Sequence, residues 1–117
     1  MDYEYIVDRA RIPQTIDNDG ILHVDTETYG QHGSSALDTF SNCIRLVSVG
    51  GSGDRIFVFD LMYLKPEWVL PLIANTHLSG HNLAFDLPIL VRYGLPYPPS
   101  CTCTMIQSQV LMNGLMP

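Results

Sequence analysis

Basic charge is scarce in this sequence. Its 117 residues hold six Lys and Arg against twelve Asp and Glu, a formal net charge of −6. A general cationic surface for nucleic acid is therefore excluded. A metal-dependent phosphodiester enzyme is not, because divalent ions held by carboxylates reverse the local sign. Cysteine is scarce too. Cys43, Cys101 and Cys103 fit neither a disulfide framework nor a Cys-x-x-Cys zinc site, which points to buried or surface thiols in a reducing, cytoplasmic compartment. No apolar run approaches the roughly 20 residues that span a bilayer, so no membrane span is expected. The opening Met1 to Tyr5 is acidic and lacks the basic-then-apolar order of a secretory signal. What is abundant is apolar material: 46% hydrophobic residues and only 15% charged ones, enough for one globular domain.

The acidic residues are unevenly spread. All twelve lie between Asp2 and Asp86, whereas the 31 residues from Leu87 to Pro117 carry one charge, Arg92, and no His. So neutral a closing segment implies either a buried helix or an apolar surface awaiting a partner.

Alternation and turn residues predict strands over 3–7, 21–25, 44–49 and 55–60, the last two forming a hairpin about Gly50 to Asp54. A helical turn is expected over 13–18 and a loop over 29–41. The second half predicts a short helix over 66–73, interrupted by Pro71, and a short strand with its exit loop over 78–82. A helix over 83–93 follows, with Asp86 at or near its N-cap and Pro88 in its first turn, and a last helix over 104–113. Strands first, then alternating helices and a strand, make a single α/β domain over 1–117 built on a mixed sheet with flanking helices.

Two segments carry chemistry. In Val24-Asp25-Thr26-Glu27-Thr28, two carboxylates two residues apart on a strand share one face and repel each other unless a cation lies between them. A strand end in an α/β sheet is also the usual ligand position. In Gly80 to Leu90, Asp86 sits among Leu83, Phe85, Leu87 and Ile89, where an ionised carboxylate needs a cap, a partner or a metal.

Together, Ile-Leu-His-Val-Asp-Thr-Glu-Thr (21–28) resembles the first motif of the DEDD 3′–5′ exonucleases, in the form seen in family-A DNA polymerases. His-Asn-Leu-Ala-Phe-Asp-Leu-Pro-Ile-Leu (81–90) resembles their second. The strands over 44–49 and 58–61 and the segment Cys103-Thr104-Met105-Ile106 are similar to the elements between and after those motifs. The resemblance implies a ribonuclease H-like fold and hydrolysis of 3′-terminal phosphodiesters of single-stranded DNA by two Mg²⁺ or Mn²⁺ ions. It makes Asp25, Glu27 and Asp86 the catalytic metal ligands, converging in one cluster, with Asp25 bridging both ions. Thr26, Thr28 and Asn82 would lie near the terminal nucleotide, and Leu83 and Phe85 in the core.

One part is missing. The family's third motif, Tyr-x-x-x-Asp or His-x-x-x-x-Asp, has no counterpart, since neither acid nor His follows Asp86. The resemblance therefore implies a domain truncated at its C-terminal end, an incomplete two-ion site and an isolated chain of weak activity. His81 and Tyr93 have the chemical type of a substitute base. Residues 104–116 are expected to meet a second copy in a homodimer, or a companion polymerase or exonuclease chain. The alternative is a non-catalytic relative that binds or inhibits, and ribonuclease D-like RNA processing also fits the two motifs.

Overall fold

A computed structural model describes residues 2–30, 35–39 and 41–105. Six strands form one mixed sheet in the order β1-β4-β3-β2-β5-β6. They are β1 (Asp2–Ile6), β2 (Ile21–Tyr29), β3 (Cys43–Gly50), β4 (Arg55–Asp60), β5 (His77–Gly80) and β6 (Cys101–Cys103). β3 alone is antiparallel to its neighbours, so β1, β2, β4, β5 and β6 all point their carboxyl ends the same way.

The pleat sorts side chains onto two faces. On one face Ile6, Leu22, Val24, Val47, Val49, Phe59 and Leu78 are buried. They pack beneath α1 (Pro66–Val69), the 3₁₀ turn Leu70–Leu72 that continues it, and α2 (Leu83–Arg92). Among the described residues, no helix covers the other face, where Tyr3, Tyr5, Ile21, His23, Asp25 and Glu27 stand exposed. A register shift between Glu27 and Thr28 inserts one extra residue in β3, which is why Ile44 and Val47 are both buried although three positions apart.

Two glycines are required by close approach. A Cβ on Gly51 would stand 1.9 Å from the Asp17 carbonyl oxygen, which already accepts from the Ser52 N–H. One on Gly80 would stand 3.0 Å from the Val24 carbonyl oxygen, where β5 turns into α2 beside β2.

The predicted strands, the hairpin and both middle helices are present, with four departures. β2 runs on to Tyr29, because a strand whose outer face is open accepts charged and polar side chains there. The turn expected over 13–18 is instead a 3₁₀ turn at Arg9–Arg11, capped by Asp8, whose carboxylate accepts from the Ala10 N–H. Asn82, not Asp86, holds the N-cap of α2, leaving Asp86 in the first turn and Pro88 inside the helix. Pro88 and Ala84 are both exposed, so water can serve the carbonyl that proline cannot. β6 was not anticipated; Cys-Thr-Cys after a proline-rich loop has no strand signal strong enough to read. The helix expected over 104–113 and the partner surface over 104–116 lie, beyond Met105, outside the described residues.

A buried polar cluster ties the edge of the sheet. Asp60 is fully buried and accepts from the Arg45 guanidinium at 3.0 and 3.3 Å, from the Tyr5 hydroxyl and from the Met62 N–H. Burial alone would raise its pKa, but these donors outweigh it and hold the carboxyl below the ordinary Asp value.

Candidate active site

Asp25 stands at the middle of β2 rather than at its expected end, and Glu27 two residues before the end, both on the open face. Their cross-strand partners on β3 are Ser48 and Leu46. Neither carboxylate has a hydrogen-bond or ion-pair partner among the described residues.

Thr26, between them, points the other way. It is 8% exposed, and its hydroxyl donates to the Asp86 carboxylate at 2.5 Å. This is possible because β2 outlasts β5: their pairing stops at His23 and Ser79, and the helix that follows β5 delivers Asp86 to the unpaired stretch of β2. The Thr26 backbone N–H also lies toward that carboxylate and favours its charged form. Asp86 is buried, and burial is the main cause that lifts its pKa above the ordinary Asp value. The charges of Asp25 and Glu27 push the same way, against the Thr26 hydrogen bonds. The three carboxylates thus feel one another's charge.

They do not form a ready-made cage. Among the described residues, no group of three or more His, Cys, Asp or Glu side chains is arranged to hold one metal ion. The metal cluster expected of Asp25, Glu27 and Asp86 is thus not preformed, although Asp86 lies near enough to feel the charge of both motif-one carboxylates. The pleat gives the face toward α2 to Thr26, and puts the two motif-one carboxylates on the other.

The expected contacts to a terminal nucleotide also change. Thr26 is buried and committed to Asp86. Thr28 is half-buried and donates to the Ala36 carbonyl at 2.8 Å. Asn82 remains exposed, its carbonyl accepting from the Phe85 and Asp86 N–H groups. Leu83 is in the core and Phe85 packs against it. Tyr93 is removed as a substitute base, because its hydroxyl accepts from the Ile44 N–H at 2.9 Å. His81 is exposed, its Nδ1 3.1 Å from the Thr104 hydroxyl.

A hollow of about 410 Å³ opens beside Asp25, lined also by His23, Ser48, Gly80, His81 and Thr104. His23 is the residue sequence reasoning missed. Its signal was the same period of two that pairs Asp25 with Glu27, since position 23 shares their face.

Comparison with known proteins follows the same lines. No family model matches the chain. It is 35% identical over 115 residues to DNA polymerase I of Aquifex aeolicus, which covers 95% of this chain and 18% of that protein. Among solved structures, ribonuclease D of Trypanosoma brucei in complex with RNA U12 superposes with a TM-score of 0.61 at 12% identity. That match covers 85% of this chain and 36% of the other. NrnC of Brucella melitensis superposes at 0.59 with 16% identity, over 94% and 52% of the two chains. This is the ribonuclease H-like fold of the DEDD 3′–5′ exonucleases. In it, the segment 21–28 forms most of β2, and the segment 81–90 follows the carboxyl end of β5 and runs into α2. No helix among the described residues is long and apolar enough to cross a membrane.

Proposed function

We propose that this chain is a 3′–5′ exonuclease module that hydrolyses 3′-terminal phosphodiesters of single-stranded DNA. The observation carrying this reading is the pair Asp25 and Glu27, exposed and without counter-charge on β2, with Asp86 held against the strand between them. An all-oxygen, triply negative donor set suits a hard divalent cation, Mg²⁺ or Mn²⁺. NrnC has been solved with bound Mg²⁺. Asp25 and Glu27 would be the direct ligands. Asp86, one oxygen of which accepts from Thr26, would support a second ion. The ions would supply an acidified water and neutralise charge on the scissile phosphate.

The chain's own residues then divide the work. Thr26 fixes Asp86, the exposed strand face admits the 3′ end, and Asn82 and His81 border it from the start of α2. The water-orienting group would come from a companion polypeptide, or a second copy, seated on the open sheet face and met through residues 104–116. Cys43, Cys101 and Cys103 form no disulfide with one another, which suits an intracellular, reducing setting.

Incubation with single-stranded DNA labelled in its 3′-terminal nucleotide, in Mn²⁺, tests the reading. Slow release of 3′ mononucleotide, abolished by Asp25→Ala, is expected. No release with or without added partner, together with no Mn²⁺ binding, overturns it in favour of a binding module.

A further inference from the structure

The sheet has two edges, and they are not alike. β6, at one side, is three residues long and is reached through Pro96, Pro98 and Pro99. Shortness and proline are two usual protections of an edge strand against pairing with another chain. β1, at the other side, has neither. It keeps an unbroken five-residue register with β4, from Asp2 opposite Arg55 to Ile6 opposite Phe59, and contains no Pro or Lys. Among the described residues, no strand pairs with its outer edge.

The phase of β1 shows what that edge offers. The Asp2 N–H donates to the Asp54 carbonyl at 3.2 Å. Backbone groups alternate in direction along a strand, so those of Asp2, Glu4 and Ile6 turn to β4 and those of Tyr3 and Tyr5 point outward. Both tyrosines are exposed, at 69% and 54%. The Tyr5 hydroxyl donates to Asp60, which orders its ring in advance of any contact. The carboxylate at the centre of the strand, Glu4, is met by Arg55 at 3.2 Å and Arg11 at 3.9 Å. In a chain of net charge −6, the middle of this edge is therefore open to a second negatively charged copy.

We propose that β1 is an interface for a second copy of this chain, the two β1 strands pairing antiparallel across a dyad at Glu4. This register uses every outward group: Tyr3 stands opposite the second copy's Tyr5 on each side of the dyad, and each such couple exchanges two backbone hydrogen bonds. The opposed tyrosine rings lie on the open face and add cross-strand aromatic contact. Because one strand edge is consumed in each copy, the contact closes at two. Side chains of one parity share a face, so the open faces of both copies, with Asp25 and Glu27, turn to the same side of one continuous sheet. The pairing leaves that face free for the companion polypeptide, and it does not depend on the exonuclease reading.

The test is analytical sedimentation of the full chain from about 1 to 200 µM, which brackets the weak dissociation constant, roughly 10–100 µM, of so small an interface. A monomer–dimer equilibrium is expected. Tyr3→Pro removes an N–H that the single copy does not use. It should raise the dissociation constant at least about tenfold and leave the Tm of dilute protein nearly unchanged. Tyr3→Lys keeps every backbone group and adds the charge common on protected edges, so it should weaken the dimer too, and it carries the test alone if the proline variant does not fold. Amide hydrogen exchange reads the contact directly: Tyr3 and Tyr5 should slow as concentration rises, and Glu4 should not change. A wild-type chain that stays monomeric throughout overturns the proposal. So does a dimer that is unchanged by the Tyr3 variants, or whose Tyr3 and Tyr5 amides exchange no more slowly, because its contact lies elsewhere. Growth past the dimer into open assemblies overturns the closed pairing.

Discussion

The Thr26 hydroxyl donates to the Asp86 carboxylate at 2.5 Å, bonding the middle of the first motif to the second across 60 residues of chain. The residue between the two open-face carboxylates therefore positions the third.

Removing that donor leaves a buried carboxylate short of a partner. Thr26→Val is expected to cost about 1–3 kcal/mol in urea denaturation, and Thr26→Ser much less, because the hydroxyl is kept. The loss from Val should be larger at pH 7 than at pH 3, where the acid is protonated.

Asp86 has a folded pKa raised above its unfolded one, so the native state holds the proton more tightly. Stability then falls as pH rises from the ordinary Asp value through the raised one, and the penalty persists above it. Asp86→Asn, still able to accept from Thr26, is expected to raise Tm at pH 7 in metal-free buffer and to leave it nearly unchanged at pH 3. A lower Tm at pH 7 would show that the ionised group is stabilising without a cation.

Asp60 carries the opposite sign. Its lowered pKa gives stability that is present above the ordinary Asp value and lost as pH falls through the folded one. Arg45→Met takes the charged partner from the buried carboxylate and should lower Tm more at pH 7 than at pH 2. Tyr5→Phe should lower it less, since Arg45 and the Met62 N–H remain. Thermal melts from pH 2 to 8 check both.

Mn²⁺ should raise the Tm of the wild-type chain by preferential binding to the native state, about 2.7 kcal/mol at a hundredfold excess over Kd. Asp25→Asn/Glu27→Gln should abolish the shift while leaving the metal-free fold intact, as both side chains are exposed. An unchanged shift in that variant would move the metal elsewhere.

Much of this was legible in the residues. Alternation placed β3 and β4, the glycine-rich turn gave their hairpin, and the two motif segments drew attention to Asp25, Glu27 and Asp86. What could not be read depended on partners distant in sequence. Thr26 is an ordinary small polar residue until α2 brings Asp86 beneath it. β6 is a strand only because β5 offers an edge to Cys101–Cys103. Pro88 argued for Asp86 at or near the N-cap of the helix over 83–93, yet the cap is Asn82 and the proline lies inside, since solvent accepts the freed carbonyl.

That proline has a consequence for how the site is lost. A ten-residue helix is shorter than the roughly 12–15 residues needed for marginal stability alone, and an interior proline costs about 3 kcal/mol more. α2 is therefore held in shape by the sheet, through Leu83, Ile89 and Leu90. Nothing local would keep Asp86 in place once those contacts loosen, whereas Asp25 and Glu27 stay near each other by covalent proximity. Gentle denaturation should thus leave a two-carboxylate remnant that binds ions weakly and nonspecifically, and the three-carboxylate arrangement should vanish in one cooperative step with the core.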